Sequence, residues 1–229
     1  MTETPGTPET PTGPGPGAEP PAPPPPPSPA EGPSPGESEA AGYPVRLDVD
    51  HQEEYARFMP LVKWLLAIPH YLVLILLAIG AFFAVVISWF AVVFTRRYPR
   101  GLFDYVVGVY RWAMRVNAYV LLMTDPYPPF TLQDDPAYPV RFEVDYPEQG
   151  VDRWRPLIAW LLAIPYLIVA GLLVYLAEIL VFFAFFTILF AKRFPEGMFK
   201  IVLIAFRWQA RGNAYAYWMT TRYPPFVWA

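Results

Sequence analysis

Two arginines and an asparagine recur at fixed spacing in this chain. Arg111, Arg115 and Asn117 return 96 residues later as Arg207, Arg211 and Asn213. Both sets lie in otherwise apolar segments, near Leu102–Thr124 and Met198–Thr220, where helical spacing would place Arg at i and i+4 on one face. A guanidinium at the centre of a bilayer-spanning helix costs roughly 2.5–3.5 kcal/mol. Two per helix therefore call for an anionic partner, either lipid phosphate or a carboxylate. Asp104 sits on the same face in the first copy, but Lys200 replaces it in the second, so pairing within the helix is not a shared device. The remaining partners are lipid headgroups and the carboxylates Asp48, Asp50, Glu143 and Asp145. The plainer alternative is snorkelling, in which apolar stems lie in the membrane zone and charged tips reach the headgroups. We carry all six residues forward as lipid- or anion-binding candidates.

Glu178 is the other conspicuous residue. It lies inside the long apolar stretch Leu157–Ala191 and is a candidate proton or ion site. Phe82 occupies its place in the first copy, so any such role belongs to one repeat alone. His70, just after Pro69, has Tyr166 as counterpart, and both suit a membrane–water interface. Together with His51 it makes no metal-binding spacing. The chain has no cysteine, which excludes disulfides, thiol catalysis and thiolate metal sites. We find no nucleophile elbow, phosphate-cradling Gly loop or carboxylate pair at catalytic spacing, and expect neither enzymatic activity nor a cofactor.

The elements that position these residues are also duplicated. Tyr43-Pro-Val-Arg-Leu-Asp-Val-Asp50 returns as Tyr138-Pro-Val-Arg-Phe-Glu-Val-Asp145, offset by 95. Its period-two alternation predicts a half-buried strand. Trp64-Leu-Leu-Ala-Ile-Pro69 returns as Trp160-Leu-Leu-Ala-Ile-Pro165, offset by 96, within the apolar stretches Leu61–Phe94 and Leu157–Ala191. These are long enough for transmembrane helices, with Pro69 and Pro165 as kinks or true starting points. Basic turns follow at Arg96-Arg-Tyr-Pro-Arg100 and Lys192-Arg-Phe-Pro-Glu196, and Tyr127-Pro-Pro-Phe130 and Tyr223-Pro-Pro-Phe226 close the copies.

We therefore expect a mainly α, integral membrane fold of two tandem repeats. Each is a short β-strand, a long transmembrane helix and a second amphipathic or transmembrane helix. The divisions are a disordered, Pro-rich acidic tail (1–42), repeat 1 (43–130), a linker (131–137) and repeat 2 (138–229). The tail holds 15 of the 30 prolines, six Glu and no basic residue, too little apolar surface to offset its chain entropy. Subtracting its six charges from the net −3 leaves +3 for the remainder. The N-terminus lacks the charged and apolar regions of a signal peptide.

Both basic turns share one side if each repeat crosses the bilayer twice, and the positive-inside rule makes that side cytoplasmic. This gives four crossings as two parallel repeats in the cytoplasmic membrane. In a competing reading the apolar stretch is a shallow re-entrant hairpin and the arginine helix lies flat on the surface. A third has inverted repeats.

In order, the strand motif, Pro60-Leu-Val-Lys-Trp64-Leu-Leu-Ala-Ile-Pro69-His70, Arg97-Tyr-Pro-Arg-Gly101-Leu-Phe, Arg111-Trp112 with Arg115, and Tyr127-Pro-Pro-Phe130 resemble the bacterial membrane-protein family known as domain of unknown function 4389, present as two tandem copies. The second copy departs at Tyr166, Glu196 and Lys200. The resemblance implies an integral membrane location and supplies no activity. From the sequence, then, we expect a non-enzymatic scaffold or lipid-interacting accessory protein, the alternative being a small transporter or channel component using Glu178 and the Arg/Asn helices. The partners expected are membrane lipids, anionic ones among them, and a second copy or another membrane protein, without nucleic acid.

Overall fold

The computed structural model describes Thr2 and residues 42–228. The expected tail, 1–42, lies outside the described residues except for Thr2 and Gly42. The elements run β1 (Val45–Val49), α1 (Met59–Leu66), α2 (Ile68–Thr95), α3 (Arg100–Val120), β2 (Val140–Val144), α4 (Arg155–Ala191) and α5 (Glu196–Ala216). The fold is thus mainly helical with one short sheet. The arginine helices begin and end earlier than the sequence suggested, because Pro99 and Pro195 sit at their N-caps and can start a helix but not continue one. The proline positions act unequally. The first apolar stretch breaks at Ala67, just before Pro69, whereas α4 runs through Pro165.

The two strands pair with each other, antiparallel, with Leu47 opposite Phe142 and Val45 opposite Val144. Leu47 and Phe142 are equivalent positions in the two repeats, so a pseudo-two-fold axis passes between them. The inward side chains Val45, Leu47, Val49, Val140 and Phe142 are buried. On the outer face Arg46 forms a bidentate pair with Asp145, and its equivalent Arg141 does the same with Asp50.

The same axis governs the helices. Tyr55 N donates to Lys192 O at 2.9 Å, placing the start of α1 at the end of α4. Val151 N donates to Arg96 O at 2.8 Å, placing the end of α2 at the start of α4. Trp89 Nε1 reaches Pro156 O. The α1–α2 stretch and α4 are therefore antiparallel, and the parallel arrangement expected from sequence is corrected. Parity of charge could not have shown this, because it presumed a crossing direction.

Layers follow from helix faces. On α3, Trp112 and Val116 pack with Ala67 and Leu74, whereas Tyr110 and Arg111 meet Phe142 of β2. Tyr110 and Trp112 lie about 200° apart on a helical wheel. So α3 is sandwiched between α2 and the sheet, and α5 likewise between α4 and β1. The α4–α5 contact is close because Ala159, Ala163, Ala170, Ala177 and Ala184 form the buried stripe of α4. A Cβ at Gly212 of α5 would come within 2.6 Å of Leu167.

Among the described residues two helices are long and apolar enough to cross a membrane, Met59–Thr95 and Arg155–Ala191; α3 and α5 are not among them. Away from their narrow packed stripes both expose apolar side chains, including Leu72, Leu76, Phe82 and Phe94 on one and Leu172, Tyr175, Phe182 and Phe190 on the other.

Candidate functional site

The six residues singled out by spacing fall into two groups. Four arginines serve the join between repeats. Arg111 donates from Nε to Phe142 O at 3.0 Å and from Nη1 to Leu132 O at 2.9 Å. Arg207 donates from Nε to Leu47 O at 2.9 Å, and its Nη2 meets Asp48 Oδ1 at 2.5 Å. Each arginine thus reaches across to the other repeat's strand. Arg115 is fully buried, 3.6 Å from Asp134 Oδ1 and over the Tyr138 ring. Arg211 is buried over the Tyr43 ring. Burial holds the Arg115 and Arg211 pKa values below the usual arginine range; neighbouring Arg111 lowers Arg115 further, whereas Tyr166 partly offsets the effect at Arg211. One of the carboxylates expected as partners, Asp48, is in place, while Asp104 is exposed and makes no ion pair among the described residues. The partners seen here are protein carbonyls, carboxylates and rings, several of them in the other repeat, so these arginines act as bolts between the repeats.

The asparagines look elsewhere. Asn117 joins Glu178 and Gln209 around a cavity of about 350 Å³, with Tyr71, Val174 and Phe206 as apolar walls. Its two-fold copy, about 300 Å³, has Phe82 and Ala113 at the places of Glu178 and Gln209, and its polar side chains are Tyr110 and Tyr217. There Asn213 turns to donate to Tyr110 Oη at 2.5 Å. The first cavity gathers a carboxylate and two amides, Gln209 also donating to Asn213 Oδ1 at 3.2 Å, and the second has no charged residue in its lining.

His70, expected to suit a membrane–water interface, packs inside the protein. It is fully buried, accepts at Nδ1 from Trp112 Nε1 at 3.1 Å and stacks on Phe130 at 4.0 Å. In repeat 2 Tyr166 stacks on Trp208, and Phe226 packs against both. The Tyr-Pro-Pro-Phe segments are therefore clamps that fold an aromatic back onto the helix pair. His51 meets Phe194 O at 2.9 Å, and the equivalent Tyr146 hydroxyl donates to Tyr98 O.

Some determinants were missed from sequence. Arg96 and Lys192 end α2 and α4 in the left-handed conformation, φ 60° and 57°. A non-glycine residue there costs roughly 1–2 kcal/mol. The carbonyls so turned outward accept Val151 N and Tyr55 N from the other repeat. No Gly marks these caps, so the usual signal was missing.

The fold and these joins define a class of protein: a tandem pair of αα repeats that exchange strands about a pseudo-two-fold axis. The chain belongs to the family "Domain of unknown function (DUF4389)", whose model matches residues 60–131 and 153–227, two copies covering more than half of the chain. No curated protein and no solved structure matches it.

Proposed function

We propose that this protein is a non-enzymatic, lipid-interacting scaffold seated in one face of the cytoplasmic membrane, with α2 and α4 lying along the bilayer and the sheet in water. One observation carries the reading: the exposed apolar surfaces of α2 and α4 lie opposite the charged face of the sheet, with α3 and α5 between them. If α2 and α4 instead stood upright, the sheet, packed at the middle of α3 and α5, would sit near the bilayer midplane. Six charged side chains would then be there: Arg46, Asp48, Asp50, Arg141, Glu143 and Asp145. At roughly 2.5 kcal/mol each that is on the order of 15 kcal/mol. Lying flat, the helices bury Leu and Phe side chains in acyl chains at about 1.5–3 kcal/mol apiece and leave the charges hydrated.

Cysteine accessibility tests this, since the native chain has none. Single cysteines replacing Asp48, Arg97 and Arg193 should all label from the same side of sealed vesicles. Labelling of Arg97→Cys and Arg193→Cys from opposite sides would establish crossing and overturn the seating.

The polar cavity at Glu178 favours a second reading, a small transporter or channel component. Asn117, Glu178 and Gln209 together could hold a cation or hydrogen-bond donor moving between the repeats. The scaffold reading is preferred because that constellation occurs in one repeat alone, whereas the apolar face spans both.

A further inference from the structure

We propose that the junction between α2 and α4 is a binding site for the phosphate headgroup of an anionic phospholipid, held by Arg96, Arg153 and Arg155. The proposal rests on the membrane seating above and names its ligand. A cavity of about 260 Å³ opens there, lined by these three arginines with Asp152, and floored by Ile158, Leu162 and Tyr215. Its geometry is set by the Val151 N to Arg96 O bond, which pins the left-handed end of α2 against the start of α4. The lining thus holds three arginines and one acidic residue. Arg96 and Arg153 make no ion pair among the described residues, and Arg155 lies over the Tyr215 ring at 5.6 Å. Arg46, Arg100, Arg141 and Lys200 each have a carboxylate, while Arg57, Arg97 and Arg193 share the lack of one among the described residues but do not line this cavity.

Guanidinium matches phosphate oxygens in geometry as well as charge. The floor of the cavity matters equally. Ile158 and Leu162 are exposed and continue into the apolar face of α4, with Trp154 exposed at the rim. A ligand with an anionic phosphate and an acyl chain would fill both parts, whereas a free anion would leave the floor wet. A net-neutral choline headgroup carries its own ammonium counter-charge and gains less from three arginines.

The duplication supplies an internal control. At the two-fold equivalent place Met59 replaces Arg155, and the Tyr119 ring instead receives Lys63, one helical turn further on, at 5.0 Å. Lys63 is buried against Asp125 at 2.7 Å and donates to Thr124 O at 2.8 Å. Repeat 2 has Ala159 for Lys63 and Thr221 for Asp125. At the equivalent place Lys63 is answered by Asp125 and Lys192 by Glu54, whereas the junction of Arg96 from repeat 1 with Arg153 and Arg155 from repeat 2 has only Asp152 in its lining.

The test uses the full chain in detergent, measuring retention of phosphatidic acid, phosphatidylcholine and diacylglycerol by native mass spectrometry. Phosphatidic acid should be retained preferentially. Arg96→Gln with Arg153→Gln should weaken that retention about tenfold or more, the scale of losing charge-assisted hydrogen bonds. The matched pair at the other copy, Arg57→Gln with Lys192→Gln, removes the same charge and should change it by less than about threefold. Equal losses in both pairs would overturn the site in favour of general surface charge. So would inorganic phosphate displacing the lipid at equal concentration, or diacylglycerol binding as well as phosphatidic acid. Should the double variant fail to fold, Arg153→Lys, which keeps charge but loses the planar fork, must still lower retention. A protein that seats in phosphatidylcholine vesicles yet ignores phosphatidic acid refutes this site alone; one that does not seat refutes the scaffold reading itself.

Discussion

Arg207, on the last helix of the second repeat, donates its Nε to the carbonyl oxygen of Leu47, on the strand of the first, at 2.9 Å. Arg111 repeats the contact in mirror order on Phe142. These bonds bind the repeats to each other, so their loss should read out as stability. Arg207→Gln should lower unfolding stability by about 1.5–3 kcal/mol, the range for hydrogen bonds to a charged group. Lipid retention by the folded fraction should stay unchanged. Thermal unfolding in detergent beside lipid retention separates the two; a loss of lipid at unchanged stability would return these arginines to the ligand role.

The exchange also predicts how the chain can be cut. Leu47 packs in the second repeat's half and Phe142 in the first's, so neither repeat contains its own complete core. Residues 43–130 and 131–229 expressed together should co-purify as a one-to-one complex. Expressed alone, each should pair with its own copy or fail to fold. A folded, monomeric single repeat in size-exclusion chromatography would contradict the exchange.

How far the sequence disclosed this can be read from the same residues. The alternation of Val45, Leu47 and Val49 with charges announced a half-buried strand, and the structure has one. The repeat of Arg111 as Arg207 announced a shared design element. Its purpose stayed hidden because a strand satisfies the alternation equally well whether it packs on its own helix or its neighbour's. Arg96 and Lys192 as left-handed caps were invisible for a related reason. What holds that conformation is an amide from the other repeat, some 55 to 140 positions away in sequence. The cavity at Arg153 and Arg155 was not legible because it joins Arg96 to residues 57 and 59 positions further on, and its distinguishing Arg155 has Met59 as counterpart.

Gly150 gives a local test of the junction. Its φ is +82°, and a Cβ there would lie 2.7 Å from Arg96 O, the acceptor of Val151 N. Gly150→Val should destabilise the fold by about 2 kcal/mol or more, from the left-handed backbone and the clash together. It should also reduce phosphatidic acid retention, since it displaces the Arg96 turn. A variant with a wild-type thermal midpoint would show that the turn can shift at little cost.

Stability should form a plateau in pH with two distinct edges. The bidentate Arg141 bond holds the Asp50 carboxyl below its usual range, a lowered folded value. That contribution is present above the unfolded pKa of about 4 and is lost as pH falls through the folded value. The pair is exposed, so the acid edge should be shallow. Burial pushes the Tyr55 hydroxyl up to about 12. Its contribution is full below the unfolded pKa of about 10 and is lost as pH rises toward 12. Tyr55 donates to Met123 O at 3.2 Å. Tyr55→Phe should therefore cost about 1 kcal/mol at neutral pH and flatten the alkaline edge. Denaturant unfolding across pH checks both signs; an alkaline edge identical in the variant would assign it to other tyrosines.

Glu178 decides between scaffold and transporter. It shares its cavity with Asn117 and Gln209, but the two-fold copy places Phe82 and Ala113 there. A conduction path built on the axis would use both copies, and half of this pair offers no polar group at those two positions. Vesicles containing the protein should accordingly show no proton or monovalent cation flux above empty vesicles, and Glu178→Gln should leave seating and stability within about 0.5 kcal/mol of wild type, as for an exposed side chain without an ion pair. A flux that Glu178→Gln abolishes would reverse the ranking. The asymmetry of the two cavities would then mark the single working half of a duplicated fold.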